Sequence, residues 1–246
     1  MNQILGLVLV VVAAFLLLAL TLIKSKTAPA FREIAAFTRL RRAAGLAVED
    51  GTRLHVSLGR GGLLTPRGAS ALSGLALLRQ LGAQTSISDR PPIATSGDAA
   101  VTILSQETLQ SAYQSAGAQE QYQSNNGRLS GLTPFSYAAG AMNVVRREQV
   151  SANVLIGDFG PEVGLLADAA ERENAMLIAA ANDPAAQAIL LASASEPLIG
   201  EELFAAPAYI GNDTAQRASL QVQDVLRWLI ILALLTGAGL KLLGIL

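Results

Sequence analysis

The feature that most constrains this chain is an uncharged apolar run near its start, ILGLVLVVVAAFLLLALTLI, from Ile4 to Ile23. About 20 consecutive apolar residues wound as an α-helix match the ~30 Å hydrocarbon core of a bilayer. A core helix of a globular domain keeps a polar face, and this run is apolar all round. A cleaved signal peptide has a basic segment, a shorter apolar stretch and a small-residue cleavage site, whereas Met1-Asn2-Gln3 offers no basic side chain. Residues 4–23 therefore read as a transmembrane helix.

The other end repeats the theme. From about Val225 to Leu246 the chain is again apolar, with Arg227 and Trp228 at its start, where an interfacial cation and aromatic belong. Lys241 lies close enough to the C-terminus to snorkel to the headgroups. Thr214 to Asp224 contains neither proline nor glycine, so residues 214–246 read as one helix that continues into the second span. Gly237, Gly239 and Gly244, with Ala233 and Ala238, place small residues along this span, and small faces let membrane helices approach closely. The basic residues Lys24, Lys26, Arg32, Arg39, Arg41 and Arg42 follow the first span and none precedes it. The positive-inside rule then puts the intervening domain in the cytoplasm and both termini outside.

Composition narrows the function of the segment between. The chain of 246 residues has no cysteine, one histidine and a net charge of −1. Disulfides, thiolate metal sites and cysteine nucleophiles are excluded. A near-neutral chain lacks the basic face that nucleic acid demands. The expected partners are the lipid bilayer and further copies of the same chain, with a small anionic ligand as an additional candidate; no cofactor or metal is expected.

Residues 31–213 carry an alternating pattern. Phe31 to Ala47 has helical spacing, with Ile34, Phe37, Leu40 and Ala44 on one face. Arg53 to Leu58 alternates polar and apolar, as a half-covered strand does. Thr65-Pro66, Thr133-Pro134 and Asp183-Pro184 pair a capping residue with proline at a helix start, Gly160-Pro161 is a weaker case, and Asp98 caps a helix to about Ala116. Helices are expected at 65–82, 133–148, 161–174 and 183–194. Short apolar runs at Gln84–Ser88, Asn153–Ile156 and Met176–Ala179 are expected strands. Strands alternating with helices give an α/β fold with a largely parallel open sheet and helices on both faces. Gln119 to Gly131 is polar and turn-rich and reads as an exposed excursion.

In a parallel sheet, ligands bind beyond the carboxyl ends of the strands, so the turns there are the candidate sites. Gly59-Arg60-Gly61-Gly62 precedes a helix start, where free amides and the helix end favour an anion. Leu64 breaks the dinucleotide fingerprint, and no Gly-Lys-Ser/Thr follows for a phosphate loop. Asp89-Arg90 offers a charged edge before two prolines. Asp158 and Glu162 flank Gly160-Pro161 and are candidates to hold an ion or to act as acid and base. Each has a plainer explanation as a turn, a cap or a solvated charge. His55 has no second histidine or cysteine with which to bind a metal and reads as a packed or surface residue. Glu196, Glu201 and Glu202 read as a solvated helix start. No catalytic residues are assigned.

The segments EDGTRLHVSLGRGG, SDRPPIATSGD, LTPFSYAAGA and EPLIGEELFAA, followed by QDVLRW before the terminal span, resemble an uncharacterised family of bacterial membrane proteins defined as a domain of unknown function. The resemblance covers nearly the whole chain after residue 30. It implies an α/β domain with a terminal membrane helix at each end, and brings no catalytic residue or ligand. Two functions follow as expectations. The first is a membrane-anchored, self-assembling interaction or scaffold protein. The alternative is a membrane-tethered enzyme or sensor that holds a nucleotide or other phosphorylated ligand at the strand-end loops.

Overall fold

The computed structural model describes residues 2–23, 31–211 and 214–242. The break expected at residues 27–30, the basic pair Lys24 and Lys26, and Gly244 lie outside them. The chain separates into a unit made of its two ends and a central unit, Glu33–Gly211.

The end unit holds α1 (Asn2–Ile23), a 22-residue helix, and α9 (Thr214–Leu242), an unbroken 29-residue helix. Among the described residues α9 is the helix long and apolar enough to cross a membrane. Leu232, Leu234 and Leu235 expose at least 60% of their surface, which water disfavours and lipid tolerates.

The central unit is an α/β sandwich around one sheet. Its strands are β1 (Arg53–Gly59), β2 (Ile93–Ser96), β3 (Gly127–Leu129), β4 (Val150–Asp158), β5 (Met176–Ala181) and β6 (Glu196–Leu198). All five strand pairings are parallel, in the order β3-β2-β1-β4-β5-β6. The chain winds outward from β1 to β3, returns to the middle, and winds outward again from β4 to β6. One face is covered by α2 (Ala35–Glu49), α3 (Gly68–Gln84), α4 (Ala99–Ser115) and α8 (Glu202–Ile210). The other face is covered by α5 (Pro134–Arg147), α6 (Val163–Arg172) and α7 (Pro184–Ser193), around a core that includes Tyr137, Leu155, Phe159, Leu166 and Leu177. Leu54, Val56 and Leu58 are buried beneath the first face, each contributing about 1.5–3 kcal/mol of apolar burial.

Where caps are strong, helix starts fall as expected. Asp98 accepts from the Val101 amide, Thr133 from Ser136, and Asp183 from Ala185 and Ala186. The remaining starts move. Thr65 donates its hydroxyl to the Gly62 carbonyl, so α3 begins at Gly68, while α6 begins at Val163; neither has a side-chain cap. The first helix of this unit begins at Ala35 instead of Phe31.

Three expectations are corrected and one is refined. Gln84–Ser88 is no strand: Gln84 ends α3, and the hydroxyls of Thr85 and Ser86 bond back to the Leu81 and Ala83 carbonyls, so the strand forms after Pro91-Pro92. β1 is covered on both faces, because His55 and Ser57 are fully buried as well. Residues 119–131 are mostly exposed and turn-rich, as expected, but they are not wholly irregular: they contain two 3-10 turns and the edge strand β3, tied down by the Tyr122 hydroxyl donating to the Gln106 carbonyl. Glu196 starts β6 and pairs with Arg39, and only Glu202 belongs to α8.

Candidate functional site at the two edges of the sheet

The strand order reverses between β1 and β4, and in sheets of this kind the crevice beyond the carboxyl ends at that reversal is the usual ligand site. Here it is formed by the Gly59 turn and the Asp158 loop, which the structure brings together. Gly59 pairs with Asp158, and the Arg60 amide donates to the Asp158 carbonyl at 2.9 Å. A Cβ on Gly59 would stand 2.4 Å from that carbonyl oxygen, and its φ of +72° is costly for any other residue. Gly61 lies against the Asp158 side chain and Gly62 against the Asp98 carboxylate. These glycines therefore serve close packing of the loop. The amides of Gly61 and Gly62 donate to no acceptor among the described residues.

The charged side chains of this edge are committed to one another. Arg60 Nε donates to Glu162 Oε1 at 2.9 Å, and the same oxygen accepts from the Gly160 amide. Burial works to raise the Glu162 carboxyl, but the Gly160 amide and the Arg60 guanidinium outweigh it and hold its pKa below the usual range. Arg67 bridges Asp158 at 3.2 Å and Asp183 at 3.5 Å. Asp98 and Asp183 cap α4 and α7. Four carboxylates thus stand with two guanidiniums.

Beneath the crevice lies a buried polar row. The Tyr137 hydroxyl, from α5, bonds to Ser57 and accepts from the Gly59 amide at 3.2 Å, which anchors the turn from below. Burial raises its pKa despite those bonds, so it stays neutral. His55 joins Asn153 and Thr95, each at 2.8 Å, across three strands. Full burial pushes His55 down to about 4, so it is an uncharged connector at neutral pH.

Asp89 and Arg90 do not join this crevice. They precede β2, at the amino edge, where Arg90 donates to the Gln149 side chain beside β4. Arg53, Arg128 and Glu148 gather there: Glu148 is 2.8 Å from Arg128 and 3.5 Å from Arg53. Among the described residues no cluster of three or more histidines and carboxylates is arranged for a metal.

A family model, described as a domain of unknown function, matches residues 1–246. The chain belongs to the DUF6754 family. No curated protein and no solved structure matches it. Membership assigns no residue a role, so the roles of side chains in this DUF6754 chain rest on geometry. Sequence reasoning missed Arg67, Tyr137, Arg53 and Arg128. Tyr137 follows a capped helix start by a few residues, a signal of its inward face; the arginines gave none, because their partners lie far away in sequence. In α9, a Cβ on Gly237 or Gly239 would meet nothing within 4 Å, so neither glycine is in a close contact within the chain.

Proposed function

We propose that this DUF6754 chain is a membrane-anchored interaction protein that assembles with copies of itself and carries out no chemistry at its crevice. The observation that carries the reading is the closure of the carboxyl edge, where Arg60 is bound to Glu162 and Arg67 to Asp158 and Asp183. A reaction site needs polar groups aimed at substrate, and these are aimed at one another. Leu64 and Phe135, on the same edge, are 103% and 73% exposed, as an interaction surface offers. Both α1 and α9 act as anchors in this reading, with the central unit in the cytoplasm and both termini outside. Anchoring confines every copy to one plane, so modest contacts act at high effective concentration. The open Gly237 and Gly239 supply a face for a second helix.

The test is mass measurement of the chain in lipid nanodiscs and mild detergent. An oligomer is expected, and Gly237→Leu with Gly239→Leu should loosen it without unfolding the central unit. A monomer across concentrations and lipids sinks the proposal. Protease applied to intact cells should reach tags at both termini and spare the central unit; cleavage of that unit from outside sinks the orientation.

One observation favours the second reading, a tethered enzyme or sensor. The free Gly61 and Gly62 amides point to an anion at the strand-end loops. The four carboxylates around them weigh against it.

A further inference from the structure

The amino edge holds what the carboxyl edge lacks, an excess of cations, together with buried side-chain donors that have nothing to bond. The titratable groups within reach of Arg53 are Glu148, Arg128, Arg90 and the Tyr113 phenol. Two of these guanidiniums, Arg53 and Arg128, share the Glu148 carboxylate, and Arg90 donates to the Gln149 side chain. Burial first, and then Arg128 and Arg90, lower the Arg53 pKa, so its charge is under strain even beside Glu148. Arg53 Nε is buried and has no partner. The Tyr113 hydroxyl, in a residue only 1% exposed, has none either. Burial pushes the Tyr113 phenol up to about 12, which keeps it a donor at neutral pH. A buried donor left unsatisfied costs about 1–3 kcal/mol, so this end of the sheet is short of acceptors.

Next to this cluster runs a groove of about 360 Å³ between β3 and α5, lined by Arg128, Ser130, Asn143, Arg147 and Glu148. Its volume falls within the range of small-molecule pockets. Arg147 lines it with no partner among the described residues, while its neighbour Arg146 faces Glu173. Nearby carboxylates do not neutralise the edge: Glu148 is shared between two arginines, and Asp89 is exposed beside Arg90.

We infer that the amino edge is a binding site for a small phosphate-bearing anion, held in the β3–α5 groove by Arg128 and Arg147, with Arg53 joined to the groove through the Glu148 carboxylate that it shares with Arg128. Arginine's planar fork matches phosphate oxygens in pairs, and a phosphate group offers several acceptors at once to neighbouring donors. The same chemistry comes either as a free phosphorylated solute or as a phosphorylated lipid headgroup.

The test is calorimetric titration of pyrophosphate into the full chain in phosphatidylcholine nanodiscs, with chloride at matched ionic strength as control. Saturable binding at one site per chain is expected. Arg147→Gln, at an exposed and unpartnered residue, should weaken it about fivefold or more, and Asn143→Ala, at another exposed residue of the groove lining, should weaken it about twofold or more. Thermal unfolding of both variants without ligand should match the parent, which separates a binding defect from a folding one. Adding phosphatidic acid to the nanodiscs distinguishes the sources: competition with pyrophosphate identifies a headgroup, and its absence identifies a solute. Binding that neither substitution weakens, or no saturable binding up to about 10 mM, overturns the assignment.

Discussion

At the carboxyl edge of the sheet Asp98, Asp158, Glu162 and Asp183 stand with Arg60 and Arg67, whereas at the amino edge Arg53, Arg90, Arg128 and Arg147 stand with Glu148 and the exposed Asp89. The sign of each edge follows from the winding of the chain. Every crossover helix runs against its parallel strands, so helix N-termini collect at the carboxyl edge and C-termini at the amino edge. Carboxylates favour the first and cations the second, each by about 0.3–1 kcal/mol when exposed. Asp98 and Asp183 act in this way as caps, and Arg146 and Arg147 occupy the last turn of α5. The edges differ in what remains afterwards. The carboxyl edge pairs its buried charges within the chain, and the amino edge leaves Arg53 Nε and the Tyr113 hydroxyl unmatched. A fold that places its usual ligand crevice at one edge has closed that edge and left the other open.

The severest break of this contrast is Gly59→Ala. The added Cβ would strike the Asp158 backbone at a φ of +72°, with an expected loss of more than about 3 kcal/mol in thermal unfolding. A loss under about 1 kcal/mol would show that the crevice is not closed by that packing.

Next in size is a pH effect from the row between the edges. His55 has a folded pKa of about 4 against an ordinary 6.5. Between those values the unfolded chain binds more protons, so stability is whole above the upper value and falls as pH drops toward the lower. The loss should reach on the order of 3 kcal/mol in urea unfolding at pH 4 compared with pH 7. His55→Gln should remove most of that slope, and an unchanged slope would assign it to the carboxylates.

Smaller effects compare the edges directly. Glu162→Gln leaves the part-buried Arg60 without its anion and should cost about 1–2 kcal/mol near neutrality. Its lowered pKa makes that contribution present above the ordinary carboxylate range and lost as pH falls through the lowered value. Arg53→Met should instead fall within about 0.5 kcal/mol of the parent in the absence of an anion, because it relieves a crowded cation. Equal losses at both edges would erase the distinction between them.

The sequence revealed most of what local rules govern. Proline beside Thr133 and Asp183 marked true helix starts, since both signals act within one turn. The apolar runs of β4 and β5 marked buried strands, and periodicity with the apolar ends was enough for an α/β sheet and the long terminal helix α9. Non-local features stayed hidden. The strand order, which makes Gly59 a neighbour of Asp158 and sends Arg90 to the opposite edge, is set by crossovers between segments far apart in the chain. His55 and Ser57 read as the polar side of a half-covered strand, because nothing local announces that Asn153, Thr95 and Tyr137 will meet them. Gly127–Leu129 has too little apolar content to announce an edge strand, and it exists because β2 is there to pair with it.

The closed carboxyl edge and the open amino edge are tested most directly by locating a heavy oxyanion in crystals of the full chain. Anomalous scattering from soaked selenate should give a peak within hydrogen-bond reach of Arg128 or Arg147, and none over Gly61 and Gly62. A peak on the glycine amides, or none at the arginines, would contradict it.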